Sequence, residues 1–227
     1  MSPLLLLHGA LGSAALFDPL QASLGASFTT HTLPFSGHGG QPFASAGFGI
    51  AQFAQETLDY LDAQGLEKVD VLGYSMGGYV ALYLALNHPD RVGKIYTLAT
   101  KFAWSPEAAA AEAKMLNPEA IEAKVPKFAY ALEARHGESW KPLLQATAQM
   151  MQDLGANPLL TSEQLAKISH TCRITVGDQD QMVTQEETQK AAEALPNGSF
   201  ALMENTPHPL EKVDTEQLAR LVANFMA

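Results

Sequence analysis

Short apolar runs closed by turn residues alternate along the chain with longer stretches of helical periodicity. The short runs occupy 4–7, 27–33, 69–72, 94–99, 173–176 and 199–203, and end at residues such as His8-Gly9, Pro34 and Gly73. Their length and largely apolar content predict strands covered on both faces. Between them, 49–64, 77–87, 185–195 and 215–226 read as helices, the second closed by Pro89 and the third by Pro196-Asn197-Gly198. Strand–helix alternation predicts an α/β fold: a parallel sheet of about six strands with right-handed crossovers and flanking helices.

One block breaks the rhythm. From 102 to 169 there is no strand-like run, only helical periodicity interrupted by Pro106, Pro118, Pro126, Pro142 and Pro158. The alanine-rich segment 108–113 is a strong helix former, and Phe128, Leu132, Leu143, Leu144, Met150, Met151 and Leu154 are candidates for an apolar face. The division expected is a core of 1–101 and 170–227 with a helical insertion at 102–169. That insertion leaves from a strand end, on the edge of a parallel sheet where ligands bind. It is expected to lie over the site as a lid, the alternative being an extra helical layer packed elsewhere.

Composition narrows the partners. Hydrophobic residues make up 47% and charged residues 17% of 227, too apolar for a disordered chain and long enough for a sizeable core. Fourteen basic against 24 acidic residues give a net charge of −10, which argues against a nucleic acid or an anionic membrane as partner and for a neutral or weakly charged ligand. Cys172 is the single cysteine, so no intrachain disulfide or CxxC metal site exists, and a reducing, cytoplasmic compartment fits. Met1-Ser2-Pro3 followed by four leucines imitates a signal peptide, but no basic residue precedes the run and it stops at His8. A buried strand is the expectation there.

Chemistry concentrates at Gly73-Tyr74-Ser75-Met76-Gly77, a G-x-S-x-G sequence between a predicted strand and a predicted helix. A serine on such a turn has strained backbone angles and stands at a helix N-terminus, which favours developing negative charge. The flanking glycines leave room where side chains would clash.

With these segments the sequence resembles the α/β-hydrolase superfamily. His8-Gly9-Ala10-Leu11-Gly12-Ser13 is similar to its oxyanion turn, Gly37-His38-Gly39 to its G-x-G turn, and Val176-Gly177-Asp178-Gln179-Asp180 to its acid loop. His208 falls where the family keeps its base. The resemblance implies an α/β-hydrolase fold with a helical cap, Ser75 as nucleophile, His208 as general base and an aspartate that orients it. The family pattern of glycine, two residues, then the acid selects Asp180 over Asp178. It further implies backbone N–H groups of Ala10 and Met76 as the oxyanion hole, and no cofactor. Tyr74 beside the nucleophile, with Trp104, Phe128, Trp140 and Met150 from the cap, are the expected substrate contacts; the two tryptophans serve equally as lid packing. His8 and His38 are read as structural hydrogen-bond partners, His88 as a helix-end residue. His31, His136 and His170 lack companions at metal-ligand spacing.

Two departures from the family pattern carry expectations. The chain begins directly on the oxyanion strand, so that first strand is expected to be exposed where the family has two more. Glu211 follows His208 by three positions, with prolines at 207 and 209, which shortens the histidine loop. A serine nucleophile disfavours the dehalogenase and epoxide-hydrolase branches. Tyr79 stands where a menaquinone-pathway lyase carries an arginine, and Arg135 is the single arginine of the helical block, so a polycarboxylate clamp is hard to build. The expected activity is hydrolysis of carboxylic esters of small to medium acyl chain. Lactonase, thioesterase, C–C bond hydrolase or lyase chemistry, or a slow-turnover binding protein, are the alternatives on the same framework.

Overall fold

A computed structural model describes residues 3–227, so Met1 and Ser2 lie outside the described residues. In chain order it contains β1 (Pro3–Leu7), α1 (Asp18–Leu24), β2 (Thr29–Leu33), α2 (Ile50–Ala63), β3 (Val69–Tyr74), α3 (Met76–Asn87) and β4 (Val92–Leu98). Then come α4 (Pro106–Lys114), α5 (Pro118–Lys124), α6 (Pro126–His136), α7 (Trp140–Ala156) and the short α8 (Ser162–Leu165). The chain closes with β5 (Cys172–Gly177), α9 (Gln185–Ala194), β6 (Gly198–Met203) and α10 (Thr215–Met226). All six strands pair in parallel in the order β2-β1-β3-β4-β5-β6. This is the six-stranded parallel sheet flanked by helices that the alternation predicts.

Period-two geometry splits β1, β3 and β4 between two cores. Leu5, Leu7 and Val71 face the layer of α2, α3 and α9, while Leu4, Leu6 and Leu72 face that of α1 and α10. Leu4 to Leu7 are without solvent exposure, because β1 lies between β2 and β3. The expected exposed first strand is therefore corrected: β2 forms that edge, and its residues 29–32 are exposed or half-buried. Helix α1 is an element the hydrophobic pattern does not announce; it is seven residues long and buries only Leu20 and Leu24.

Three of the five prolines of the helical block start helices rather than interrupt them. Pro106, Pro118 and Pro126 each occupy the first helical position, where a missing N–H costs nothing. Ser105 and Asn117 cap the first two by accepting hydrogen bonds from Ala108 N–H and Ala120 N–H. The block begins at an anchor: the buried Glu187 of α9 accepts from the N–H groups of Phe102 and Ala103. Among the described residues no helix is long and apolar enough to cross a membrane.

Candidate active site

Ser75 stands between the end of β3 and the start of α3 with φ 52° and ψ −117°, a left-handed conformation unusual for a residue with a Cβ. The surroundings hold it there. Its N–H donates to Leu98 O at 2.8 Å, and its carbonyl accepts from Gly78 N–H at 3.0 Å and from Thr100 Oγ1–H at 3.0 Å. The glycines are required by contact: a Cβ at Gly77 would overlap the Leu7 carbonyl, and one at Gly73 would run into Gly78. The outcome is a hydroxyl presented at the carboxyl edge of the sheet, at a helix N-terminus.

Ser75 Oγ lies 3.4 Å from His208 Nε2, and His208 Nδ1 lies 2.8 Å from Asp180 Oδ2. The other Asp180 oxygen accepts from Met182 N–H at 2.8 Å and Val183 N–H at 2.9 Å, which fixes the carboxylate plane. Burial by itself would raise the Asp180 pKa. The hydrogen bond and charge of His208, with those two N–H groups, outweigh it and hold the carboxyl below its usual range. Asp178 faces elsewhere: its Oδ1 accepts from Thr206 N–H at 3.0 Å, as a turn residue. The short loop predicted after the histidine is present, with Leu210–Lys212 coiling into one 3₁₀ turn. His208 still reaches Asp180, because Tyr74 Oη–H donates to the His208 carbonyl at 2.8 Å and steadies the loop from below.

Ser75 and His208 open into a cavity of about 50 Å³, lined by Ala10 and Met76 on one side and by residues of the helical block on the other. Met76 is the first residue of α3, so its N–H has no partner within the helix. The turn carrying Ala10 is close, since a Cβ added at Gly9 would stand 3.1 Å from Ser75 Cβ. Trp104, Met150, Met151 and Leu154 from the block, with Tyr79 and Met182, make the wall apolar.

Three expected substrate contacts are corrected. Tyr74 packs in the core beneath, and its hydroxyl serves the histidine loop instead. Phe128 is 41% exposed on α6 and is absent from the cavity wall. Trp140 is buried in a separate cluster with Ile121, Leu132 and Leu144, the packing role left open for it. Trp104 and Met150 do face the cavity. The charged residues Lys101 and Glu112, which sequence reasoning passed over, line it as well.

The histidines in the turns are structural in geometry. His8 Nε2 accepts from Phe35 N–H, and burial drives its pKa down to about 4, so the ring is neutral. His38 Nδ1 lies 3.0 Å from the Ser36 carbonyl, and burial likewise keeps its ring neutral. His136 belongs with them. Its Nδ1 accepts from Gly39 N–H and its Nε2 lies 2.9 Å from the Leu11 carbonyl. Arg135 donates to the same carbonyl at 2.9 Å and to Glu211 at 2.8 Å. The end of α6 thus grips the turn that carries Ala10, at a residue with φ 59°.

Residues 2–135 match the family model described as alpha/beta hydrolase fold. A relative from Caulobacter segnis, RutD, named as a carbamate hydrolase, is 28% identical over 98% of this chain and 90% of its own. A pimeloyl-[acyl-carrier protein] methyl ester esterase of Neisseria meningitidis is 38% identical over 42% of this chain and 35% of its own. Among solved structures, the enol-lactonase of Burkholderia xenovorans superposes with a TM-score of 0.80 at 17% identity, over 99% of this chain and 91% of its own. Carboxylesterase CesB of Bacillus subtilis gives 0.76 at 22% identity, over 100% and 84%. At these identities the two structures speak for the fold alone.

Proposed function

We propose, for a chain that belongs to the alpha/beta hydrolase fold family, that it is a serine hydrolase of carboxylic esters with short acyl chains, working through an acyl-enzyme on Ser75. The observation that carries this reading is the hydrogen-bonded line from Asp180 through His208 to Ser75, opening onto a small apolar cavity. Asp180 holds the imidazole proton on Nδ1, which leaves Nε2 free to accept. His208 Nε2 takes the hydroxyl proton as Ser75 Oγ bonds to the carbonyl carbon. The resulting oxyanion accepts from the N–H groups of Ala10 and Met76, each worth about 3 kcal/mol to the transition state. The ester C–O bond then breaks, and His208 returns the proton to the leaving alcohol oxygen. Water, deprotonated by the same nitrogen, attacks the acyl-enzyme, releases the acid and restores Ser75. The 3.4 Å separation of Ser75 Oγ from His208 Nε2 is one from which such bonds tighten as substrate binds.

The cavity sets the acyl length. A volume of about 50 Å³ holds a few waters, and so suits short acyl groups first. Longer chains require Met150 and Met151 to repack, which unbranched thioethers do readily. In this reading the helical block acts as the lid.

The test is labelling with a fluorophosphonate probe together with p-nitrophenyl esters of increasing chain length, lactones and thioesters. Labelling at Ser75, lost in Ser75→Ala along with turnover, is the expected result. Labelling that persists in Ser75→Ala overturns the assignment, and a single burst without further turnover identifies a binding protein instead.

A further inference from the structure

The wall over Ser75 is apolar except where Lys101 and Glu112 meet. Both line the cavity, with Nζ 3.5 Å from Oε1 and side chains only 19% and 13% exposed. The place is tied to the reacting groups from two sides. Thr100, the preceding residue, donates to the Ser75 carbonyl, and Lys101 Nζ reaches the Met182 carbonyl in the loop of Asp180.

The pair is badly served as it stands. The other lysine and arginine ion pairs described in the molecule close to between 2.6 and 2.9 Å, even though most are far more exposed. Lys101 and Glu112 stop at 3.5 Å. The Met182 carbonyl is 3.3 Å from Nζ, and the Trp104 ring centre is 5.8 Å away. The carbonyl contact is long for an N–H donor, and the ring, within cation–π reach, does not take the place of a hydrogen-bond acceptor for the three N–H groups. Among the described residues the Glu112 carboxylate has no further partner. A pair that existed to tie α4 to the strand end would close to charge-assisted hydrogen-bond distance. This one leaves a donor and an acceptor, side by side, beside the cavity.

Resting on the serine-esterase reading above, we infer that Lys101 and Glu112 form a specificity subsite for an uncharged primary carboxamide on the substrate. A free carboxylate gains Lys101 and is repelled by Glu112; an ammonium meets the reverse. An alkyl end displaces water from both charges and leaves them unpaired. A primary carboxamide carries a carbonyl oxygen and an N–H on the same edge. Its oxygen accepts from Lys101 Nζ while its N–H donates to the Glu112 carboxylate, with no change in net charge.

Three substrates of matched shape test this: p-nitrophenyl glutaramate, the same ester with an isopropyl group in place of the carboxamide, and p-nitrophenyl hemiglutarate. The native enzyme is expected to favour the carboxamide over its isopropyl isostere by at least about tenfold in kcat/KM, with the hemiglutarate last. Lys101→Met and Glu112→Leu should each bring that ratio close to one, and the double variant should favour the isopropyl ester. Melting temperature and Ser75 labelling report whether each variant is folded with a competent serine. A pair that only fastens α4 predicts all three rates falling together with the ratio unchanged, which overturns the subsite. So does a native enzyme that prefers the isostere or the hemiglutarate, and that ranking needs no variant to fold. Absence of both Ser75 labelling and turnover on every ester overturns the esterase reading itself, and the subsite with it.

Discussion

Replacing Asp180 by asparagine separates orientation from packing more cleanly than any other single change. The side-chain oxygen of the asparagine keeps the bonds from Met182 N–H and Val183 N–H, now 2.8 and 2.9 Å. Its amide nitrogen then occupies the place of Oδ2, 2.8 Å from His208 Nδ1. A donor at that point requires Nδ1 to accept, so the ring proton moves to Nε2 and points at Ser75. The base can no longer take the hydroxyl proton. In serine proteases the corresponding loss is about 10⁴-fold in kcat, close to 5.4 kcal/mol of transition-state stabilisation. Stability should change by only about 1 kcal/mol, since one hydrogen bond is altered and two persist. Asp178→Asn, which retains an acceptor for Thr206 N–H, should stay within about threefold of native kcat on the same reasoning. Hydrolysis of p-nitrophenyl acetate against a Ser75→Ala background, with urea unfolding of each variant, reads both quantities. A folded Asp180→Asn enzyme retaining more than a tenth of native kcat would refute the argument, as would an Asp178→Asn enzyme equally impaired.

Two further outcomes follow from burial. Trp104→Ala and Met150→Ala enlarge the cavity wall and should shift kcat/KM toward longer acyl esters by about 1–3 kcal/mol, whereas the exposed Phe128→Ala should leave both the chain-length profile and the melting temperature nearly unchanged; an equal shift in Phe128→Ala would contradict the cavity assignment. For pH, the folded His8 ring titrates near 4 and the unfolded one near 6.5. Below 6.5 the unfolded chain therefore takes up a proton that the native state refuses, so this stability is full above pH 6.5 and is lost progressively down to about 4. The span corresponds to about 3 kcal/mol, and the depressed His38 and His136 act in the same direction. Urea midpoints measured at intervals between pH 7.5 and 4.5 should fall; a flat profile would show that His8 does not carry this linkage.

The sheet and the Ser75 turn were legible because strand length, glycine placement and chain order are local properties. Spatial strand order is not, and so the chain's first strand reads as an exposed one although β2 covers it. The cavity wall was the least readable part. An aromatic residue on a helix announces burial without saying against what, and so Phe128 and Trp140 looked like Trp104. Charged residues read as solvated by default, which hid Lys101 and Glu112. The signal that could have found Lys101 was its position, three residues past the end of β4, on the same sheet edge as Ser75.

The grip of Arg135 and His136 on the Leu11 carbonyl bears on how this enzyme could be rebuilt. Helical insertions invite exchange between relatives as a way of importing new selectivity. Here a graft that removes the whole stretch from β4 to β5 would also strip away the two side chains that hold the Ala10 turn and tether Glu211. The transplantable portion is smaller: α4 and α7 carry Glu112, Met150 and Leu154 to the cavity, whereas the end of α6 functions as part of the host. A chimera should therefore keep Arg135, His136 and Glu211 as native residues and draw its junctions on either side of them.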